Sequence, residues 1–135
     1  MPAAVCYPLT VSAVDPLTDD AAAITFDVPG GLRDAFAFLP GQSLTVRHEG
    51  ERRSYSICVP PGRAPRIGVR EVPGGAVSGW LVREVRPGDV VDVQPPSGAF
   101  TPGPSPAAGR HVLVAAGSGI TPVLSIAWSL SLIHI

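Results

Sequence analysis

Residues 43–59 read SLTVRHEGERRSYSICV, and this stretch contains two predicted strands joined by a charged turn. Polar and apolar residues alternate in Ser43–His48 and again in Arg53–Val59, which is the period of a half-buried strand. Between them, Glu49-Gly50-Glu51 has the glycine and the polarity of a tight turn. The stretch therefore predicts an antiparallel hairpin, around which the other elements can be placed.

Four more strands and one short helix are predicted on either side of this hairpin. The strands cover Leu9–Val14, Ala23–Val28, Arg66–Val72 and Val90–Val93, and we expect Asp15-Pro16 to end the first of them. Apolar residues at helical spacing predict a helix from Val77 to Val85. This order predicts a mostly β fold, a closed six-stranded antiparallel Greek-key barrel with one helix, because closure removes exposed strand edges.

A proline-rich connection, residues 101–108, separates this barrel from a different pattern. His111–Ala116 is almost continuously apolar, as a strand of a parallel sheet is, and Gly117–Pro122 predicts a glycine turn that opens a helix. We predict a barrel domain over residues 1–106 and a truncated start of an α/β domain over 107–135. The tail 129–135 can be a non-native extension, because it abandons the helical pattern and ends without a cap.

Composition excludes several classes of function. The formal net charge is -1 and the basic residues are scattered, which argues against a nucleic-acid or anionic-membrane surface. Cys6 and Cys58 lack neighbouring ligands, so no zinc or iron–sulfur site is expected, and reduced thiols are favoured over a disulfide. The N-terminus has no signal peptide, and glycine and proline interrupt the uncharged stretch His111–Ile135. We therefore predict a soluble, cytoplasmic protein.

The residues Arg53, Ser54, Tyr55 and Ser56 form the first motif that can carry chemistry. Alternation places Arg53 and Tyr55 on one side of the strand, and Ser54 and Ser56 on the other. A flavin needs an aromatic platform, a hydrogen-bonding group near its reactive nitrogen and a cation for its pyrophosphate, and Tyr, Ser and Arg supply these. The alternative is that Tyr55 belongs to the barrel core and Arg53 is a solvated charge.

Two glycine-rich motifs follow. Gly74-Gly75-Ala76-Val77-Ser78 enters the predicted helix, where free backbone N–H groups and a serine hydroxyl can bind an anion. An ordinary turn with a serine cap explains the same residues. Ala116–Pro122 follows a predicted buried strand, a context suited to a nucleotide pyrophosphate, although Pro122 stands where a third glycine is usual.

Taken in order, Arg-x-Tyr-Ser, Gly-Gly-x-x-Ser and Gly-Ser-Gly-Ile-Thr-Pro resemble the ferredoxin-NADP-reductase superfamily. The segments Phe38–Gln42, Pro87–Val93 and Gly98–Phe100 are similar to further motifs of that superfamily, so the resemblance covers nearly all of residues 8–128. Within it, the chain looks most like the reductase subunits of phenylacetyl-CoA epoxygenase and related oxygenases.

The resemblance implies a role for each motif. Arg53 would hold the FAD pyrophosphate, while Tyr55 and Ser56, the catalytic candidates, would contact the isoalloxazine ring and its reactive nitrogen. The other implied FAD-binding residues are Ser54, Val69, Arg70, Gly75, Ala76, Val77 and Ser78. NAD(P)H in the full-length parent would face Gly117, Ser118, Gly119 and Thr121.

The implied activity is hydride transfer from NAD(P)H to FAD, with electrons leaving to an iron–sulfur centre of a ferredoxin-type domain or oxygenase component. That cluster is not expected in this chain, and the chain alone is expected to be inactive. One alternative is a non-catalytic flavin-binding barrel that works with a partner chain, and another is a ligand-free interaction module. Self-association is expected through apolar residues of the C-terminal segment, namely Val112, Leu113, Val114 and Trp128.

Overall fold

A computed structural model describes residues 5–98, which form one six-stranded antiparallel sheet, one α-helix and a 3₁₀ turn at Gly30–Leu32. The bounds of the elements are β1 Tyr7–Thr18, β2 Ala21–Asp27, β3 Ser43–His48, β4 Glu51–Ser56, β5 Arg66–Arg70, α1 Ala76–Arg83 and β6 Val90–Ser97. The strand order is β4-β3-β6-β1-β2-β5. The predicted class, six antiparallel strands with one short helix, is confirmed.

The sheet curls until its two end strands approach each other, but it does not close into a complete barrel. The end strands β4 and β5 are joined by an isolated bridge between Ile57 and Ile67. Beside this bridge the Cys58 N–H donates to the Arg66 carbonyl at 2.9 Å. The prediction of a fully closed barrel is therefore corrected: β4 and β5 keep open edges that face each other.

The core lies inside the curl, and α1 covers one end of it. Alternate residues of each strand point inward, and the largest fully buried side chain is Phe26 of β2. Helix α1 buries Val77 and Leu81 and packs against β2, β3, β4 and β5. Apolar burial thus places the helix on β4 and β5, the two strands that border the opening, and on their neighbours β3 and β2.

Two strands are longer than predicted and run through prolines, of which only Asp15-Pro16 was expected to end its strand. β1 continues past Asp15-Pro16 to Thr18, with Pro16 opposite Ala22 of β2. The ladder between β1 and β6 covers only Tyr7 to Thr10 on β1. At Pro16 the β6 side of β1 is therefore unpaired, so the missing N–H of the proline removes no hydrogen bond on that side. β6 likewise extends to Ser97 through Pro95-Pro96.

The β3–β4 hairpin turns over two residues rather than three. Glu49 has φ 50° and Gly50 has φ 81°, and positive φ at both central residues is typical of the tight turn that matches strand twist. Glu51 pairs with His48 and therefore belongs to β4. The predictions for residues 107–135, including Gly117, Ser118, Gly119 and Thr121, lie outside the described residues.

Candidate functional site

The opening between β4 and β5 exposes side chains on the inner face of the sheet. Tyr55 lies directly opposite Leu44, and Arg53 lies opposite Val46, in the β3–β4 ladder. Opposed residues of an antiparallel pair point to the same face, so Arg53 and Tyr55 share the face on which Leu44 and Val46 are fully buried. Arg53 is nevertheless exposed and Tyr55 only half-buried, so residues 5–98 leave the inner face of β4 uncovered.

Tyr55 has the properties of a platform rather than of an acid or base. Its ring packs against the hydrophobic core. Burial raises the pKa of its phenol above 10.0, while the positive charge of Arg53 acts in the opposite direction, so the phenol is neutral at physiological pH. The Arg53 guanidinium donates to the Arg52 carbonyl at 2.7 Å and remains solvent-exposed. The two residues thus present an aromatic surface and a cation on the same side of one strand.

The open edge of β4 presents peptide groups of the two serines. The Ile57 N–H donates to Gln42 on the β3 side, whereas the Cys58 N–H donates to Arg66 on the β5 side. Peptide groups of successive strand residues alternate in direction, so those of Ser54 and Ser56 face β5, across the opening. The Ser54 hydroxyl is hydrogen-bonded to the Thr45 hydroxyl on the outer face at 2.8 Å. The backbone N–H and carbonyl groups of both serines therefore face this opening.

On the β5 side, the two predicted residues lie on opposite faces of the strand. Val69 is buried opposite Ala22, so its side chain belongs to the core. Arg70 is exposed, and its Nε lies 3.3 Å from Asp20 Oδ2. The Arg66 carbonyl points to β4, so by alternation the peptide groups of Gly68 and Arg70 also face the opening.

The N-terminus of α1 supplies unpaired backbone donors. Its N-cap is Gly75, and no side chain among the described residues makes a capping hydrogen bond there. The N–H groups of Ala76, Val77 and Ser78 precede the first intrahelical donor, the Gly79 N–H, which donates to the Gly75 carbonyl at 3.1 Å, so they are free to bind an anion. Gly75 is required for this geometry, since a Cβ built on it would lie 2.7 Å from Ser78 Oγ and 2.9 Å from the Val72 carbonyl oxygen.

The Ser78 hydroxyl does not cap α1, which was the alternative explanation of this motif in the sequence. The side chain is buried, and its Oγ accepts a hydrogen bond from the Val72 N–H at 2.9 Å. The Gly75 N–H donates to the Val72 carbonyl at 2.7 Å. Ser78 therefore fixes the loop that precedes α1, which leaves its backbone N–H, and not its hydroxyl, available to an anion.

One contact near the site was missed by the sequence analysis. The His48 and Trp80 rings are stacked, with centroids 3.7 Å apart and planes within 3°. His48 is the last residue of β3, and Trp80 lies in the second turn of α1. No local pattern indicates this pair, because the two residues are far apart along the chain. The one available signal is the tryptophan itself, a large aromatic residue beside the apolar stripe of the helix.

The remaining chemical groups give no second centre in the part of the chain that the structure describes. Cys6 and Cys58 are free thiols, and burial raises the pKa of Cys58. Within residues 5–98, no cluster of metal-ligating side chains is found. No helix among those residues has the length and apolar character to cross a membrane. The only arrangement with convergent groups within residues 5–98 is therefore the β4–β5 opening with the start of α1.

Comparison with known proteins gives consistent matches. The family model of the oxidoreductase FAD-binding domain matches residues 8–101. The ferredoxin reductase component of 3-ketosteroid-9-alpha-monooxygenase from Rhodococcus rhodochrous is 43% identical over 125 residues, which is 87% of this chain and 35% of that protein. A component of the 1,2-phenylacetyl-CoA epoxidase from Escherichia coli is 43% identical over 129 residues, 89% of this chain and 35% of that protein.

Among solved structures, phthalate dioxygenase reductase superimposes with a TM-score of 0.74 at 28% identity, covering 94% of this chain and 40% of that chain. It is described as a modular structure for electron transfer from pyridine nucleotides to [2Fe-2S]. The present chain spans about a third of the length of the curated relatives that it matches.

Proposed function

Because the chain belongs to the oxidoreductase FAD-binding domain family, we propose that it binds FAD across the β4–β5 opening, with the pyrophosphate at the start of α1. The observation that carries this proposal is the uncovered inner face of β4. There Arg53 and Tyr55 lie opposite the aliphatic pair that β3 buries on the same face of the sheet. A flat aromatic ligand that covers Tyr55 would bury the surface that is left exposed on the inner face of β4.

The polar groups around the opening suit a flavin ring. The peptide groups of Ser54 and Ser56 face the opening, and ring nitrogens and carbonyls need such donors and acceptors at the ring edge. The Ser56 side chain lies on the opposite face of β4 from Tyr55, so a ring at the strand edge can reach both. Ser56 would hydrogen-bond near the reactive nitrogen, and Tyr55 would cover one ring face and exclude water.

The phosphate groups require positive potential, which two elements supply. Free N–H groups at the start of α1 bind an anion without a lysine. Arg53 provides a formal charge on β4, and its exposed guanidinium can form charge-assisted hydrogen bonds. The Nε of Arg70 is held by Asp20, and the other N–H groups of its exposed guanidinium can still reach an anion. We therefore assign the pyrophosphate to Arg53 and α1, with Arg70 nearby along the open edge of β5.

When bound, FAD supplies acceptance of a hydride and release of electrons singly. For the whole protein we propose an NAD(P)H-dependent oxidoreductase that passes electrons to an iron–sulfur centre or oxygenase partner. Two relatives, named as components of a monooxygenase and of an epoxidase, support this assignment. Phenylacetate degradation is proposed as its setting from the second of them. A cytoplasmic location is proposed with it.

The test is flavin retention by the purified full chain and by two variants. We expect FAD absorbance bands to remain after gel filtration, and Arg53→Ala or Tyr55→Ala to weaken FAD binding by about 1–3 kcal/mol, the cost of a lost charge-assisted or stacking contact. Matched controls are Arg33→Ala, after the 3₁₀ turn, and Tyr7→Ala, in β1, which remove the same residue types from elements other than β4, β5 and α1.

The alternatives make different predictions in the same experiment. If neither site variant changes FAD affinity, β4 is not the flavin strand. If the folded wild-type chain, checked by circular dichroism, retains no flavin, the ligand-free interaction module replaces the present proposal. A non-catalytic flavin barrel would bind FAD but fail to accept electrons from NAD(P)H when tested in the whole protein.

A further inference from the structure

The proposed FAD site is divided between two elements that are not adjacent in the sequence. β4 supplies the groups for the ring and one cation, Arg53, for the pyrophosphate, whose backbone donors come from the start of α1. A ligand that spans both parts depends on the distance between them. A contact that fixes this distance would affect affinity without touching the ligand.

The His48–Trp80 stack joins these two parts. His48 lies at the tip of the β3–β4 hairpin and is paired with Glu51, the first residue of β4. The N–H groups of Ala76, Val77 and Ser78 form the proposed phosphate cradle at the start of α1. Trp80 lies two residues after Ser78 in the same helix. The parallel rings at 3.7 Å are in van der Waals contact, so the helix cannot shift along the hairpin without losing this contact.

On another side, α1 is held by an ion pair rather than by an aromatic contact. Arg83, the last residue of α1, makes two short hydrogen bonds from Nε and Nη2 to Glu71, both at 2.9 Å. Glu71 also lies over the helix, since a Cβ on Gly79 would be 3.4 Å from its Oε2. These contacts tie α1 to the end of β5. His48–Trp80 is the corresponding tie to the tip of the β3–β4 hairpin, whose strand β4 carries the ring site farther along, at Tyr55.

We infer that the His48–Trp80 stack is a positioning contact that sets the spacing between the ring site on β4 and the phosphate cradle on α1. This inference rests on the proposed function. His48 and Trp80 are positioning residues, since neither is assigned a contact with FAD. Removal of the stack should therefore affect ligands that span both parts and spare ligands that contact only the ring site.

The experiment compares FAD with riboflavin, which lacks the phosphates, on the full chain. We expect His48→Ala to weaken FAD binding by about three- to tenfold, the range of an aromatic pair, and to leave riboflavin binding within about twofold. His48→Phe, which keeps a ring for Trp80, should restore FAD affinity. The control Tyr7→Ala removes another aromatic contact, with Phe36, and should change neither ligand's affinity selectively.

A second readout does not depend on flavin. Hydrogen exchange of the amides from Gly79 to Val85 should be faster in His48→Ala than in the wild type, while β1 and β2 amides keep their protection. Unchanged exchange in α1, or equal losses of FAD and riboflavin affinity, would overturn the positioning role. Absence of FAD binding by the wild type, with faster exchange in the variant, would instead overturn the proposed function and keep the coupling of hairpin to helix.

Discussion

At the scale of single residues, the site depends on what is absent as much as on what is present. Gly75 has no Cβ, and this leaves room for the Ser78 hydroxyl to reach the Val72 N–H. The sequence predicted that Gly75 and Ser78 act together near a helix start. It could not show that Ser78 is buried, because the direction of its side chain depends on where the preceding loop packs.

Gly75→Ala tests this arrangement directly. The new methyl group would approach Ser78 Oγ and the Val72 carbonyl closer than real contacts allow, so the start of α1 must shift. We expect a loss of about 1–3 kcal/mol in the free energy of unfolding, typical of overpacking, measured by urea denaturation. Gly31→Ala is the control, since a Cβ there meets nothing within 4 Å. Equal urea midpoints for the two variants would contradict the close packing.

At the scale of elements, the strands were easier to predict than their ends. Ser43–His48 was predicted with its observed bounds because it alternates cleanly between an inward and an outward face. β1 and β6 run through prolines, and whether a proline ends a strand depends on which neighbour lies beside it. The uncovered face of β4 was also beyond sequence reasoning, because it follows from the register with β3 and from incomplete closure.

The ion pair that joins the end of β5 to α1 predicts that the stability of the fold depends on pH. The hydrogen bond from Arg83 lowers the pKa of Glu71 below 4.5, and hydrogen bonds from Thr18 and then Arg70 lower that of Asp20 below 3.8. A carboxyl group whose pKa is lower in the folded chain stabilises the fold above its unfolded pKa, and this contribution disappears as pH falls through the folded value.

We therefore expect the urea midpoint to decrease between about pH 5 and pH 3. The decrease should be smaller in Arg83→Gln, which returns the Glu71 pKa toward its ordinary value. Arg86→Gln, in the turn after α1, is the matched control and should behave as the wild type. The ion pair would be irrelevant to acid stability if Arg83→Gln and the wild type lost stability in parallel.

At the scale of the whole molecule, residues 5–98 form a curled sheet whose end strands are joined at one bridge. The proposed ligand lies where further β4–β5 pairing would otherwise form, so binding should act on the fold as a whole. At a hundredfold excess over its Kd, a ligand that binds only the folded state adds about 2.7 kcal/mol to the free energy of unfolding. FAD should therefore raise the thermal midpoint measured by circular dichroism.

The same measurement on Tyr55→Ala, at the same FAD concentration, should give a smaller rise because the variant binds more weakly. A wild-type midpoint that does not respond to saturating FAD would contradict binding at the opening.

The uncovered inner face of β4 also limits how far natural selection can stabilise this chain. Aliphatic residues in place of Arg53 and Tyr55 would extend the apolar layer of Leu44 and Val46 and favour closure of the sheet. Such a protein would be more robust to mutation elsewhere, but it would have lost the surface to which we assign the flavin. Under the proposed function, the two positions therefore mark a trade-off between the stability of the core and the binding of a ligand.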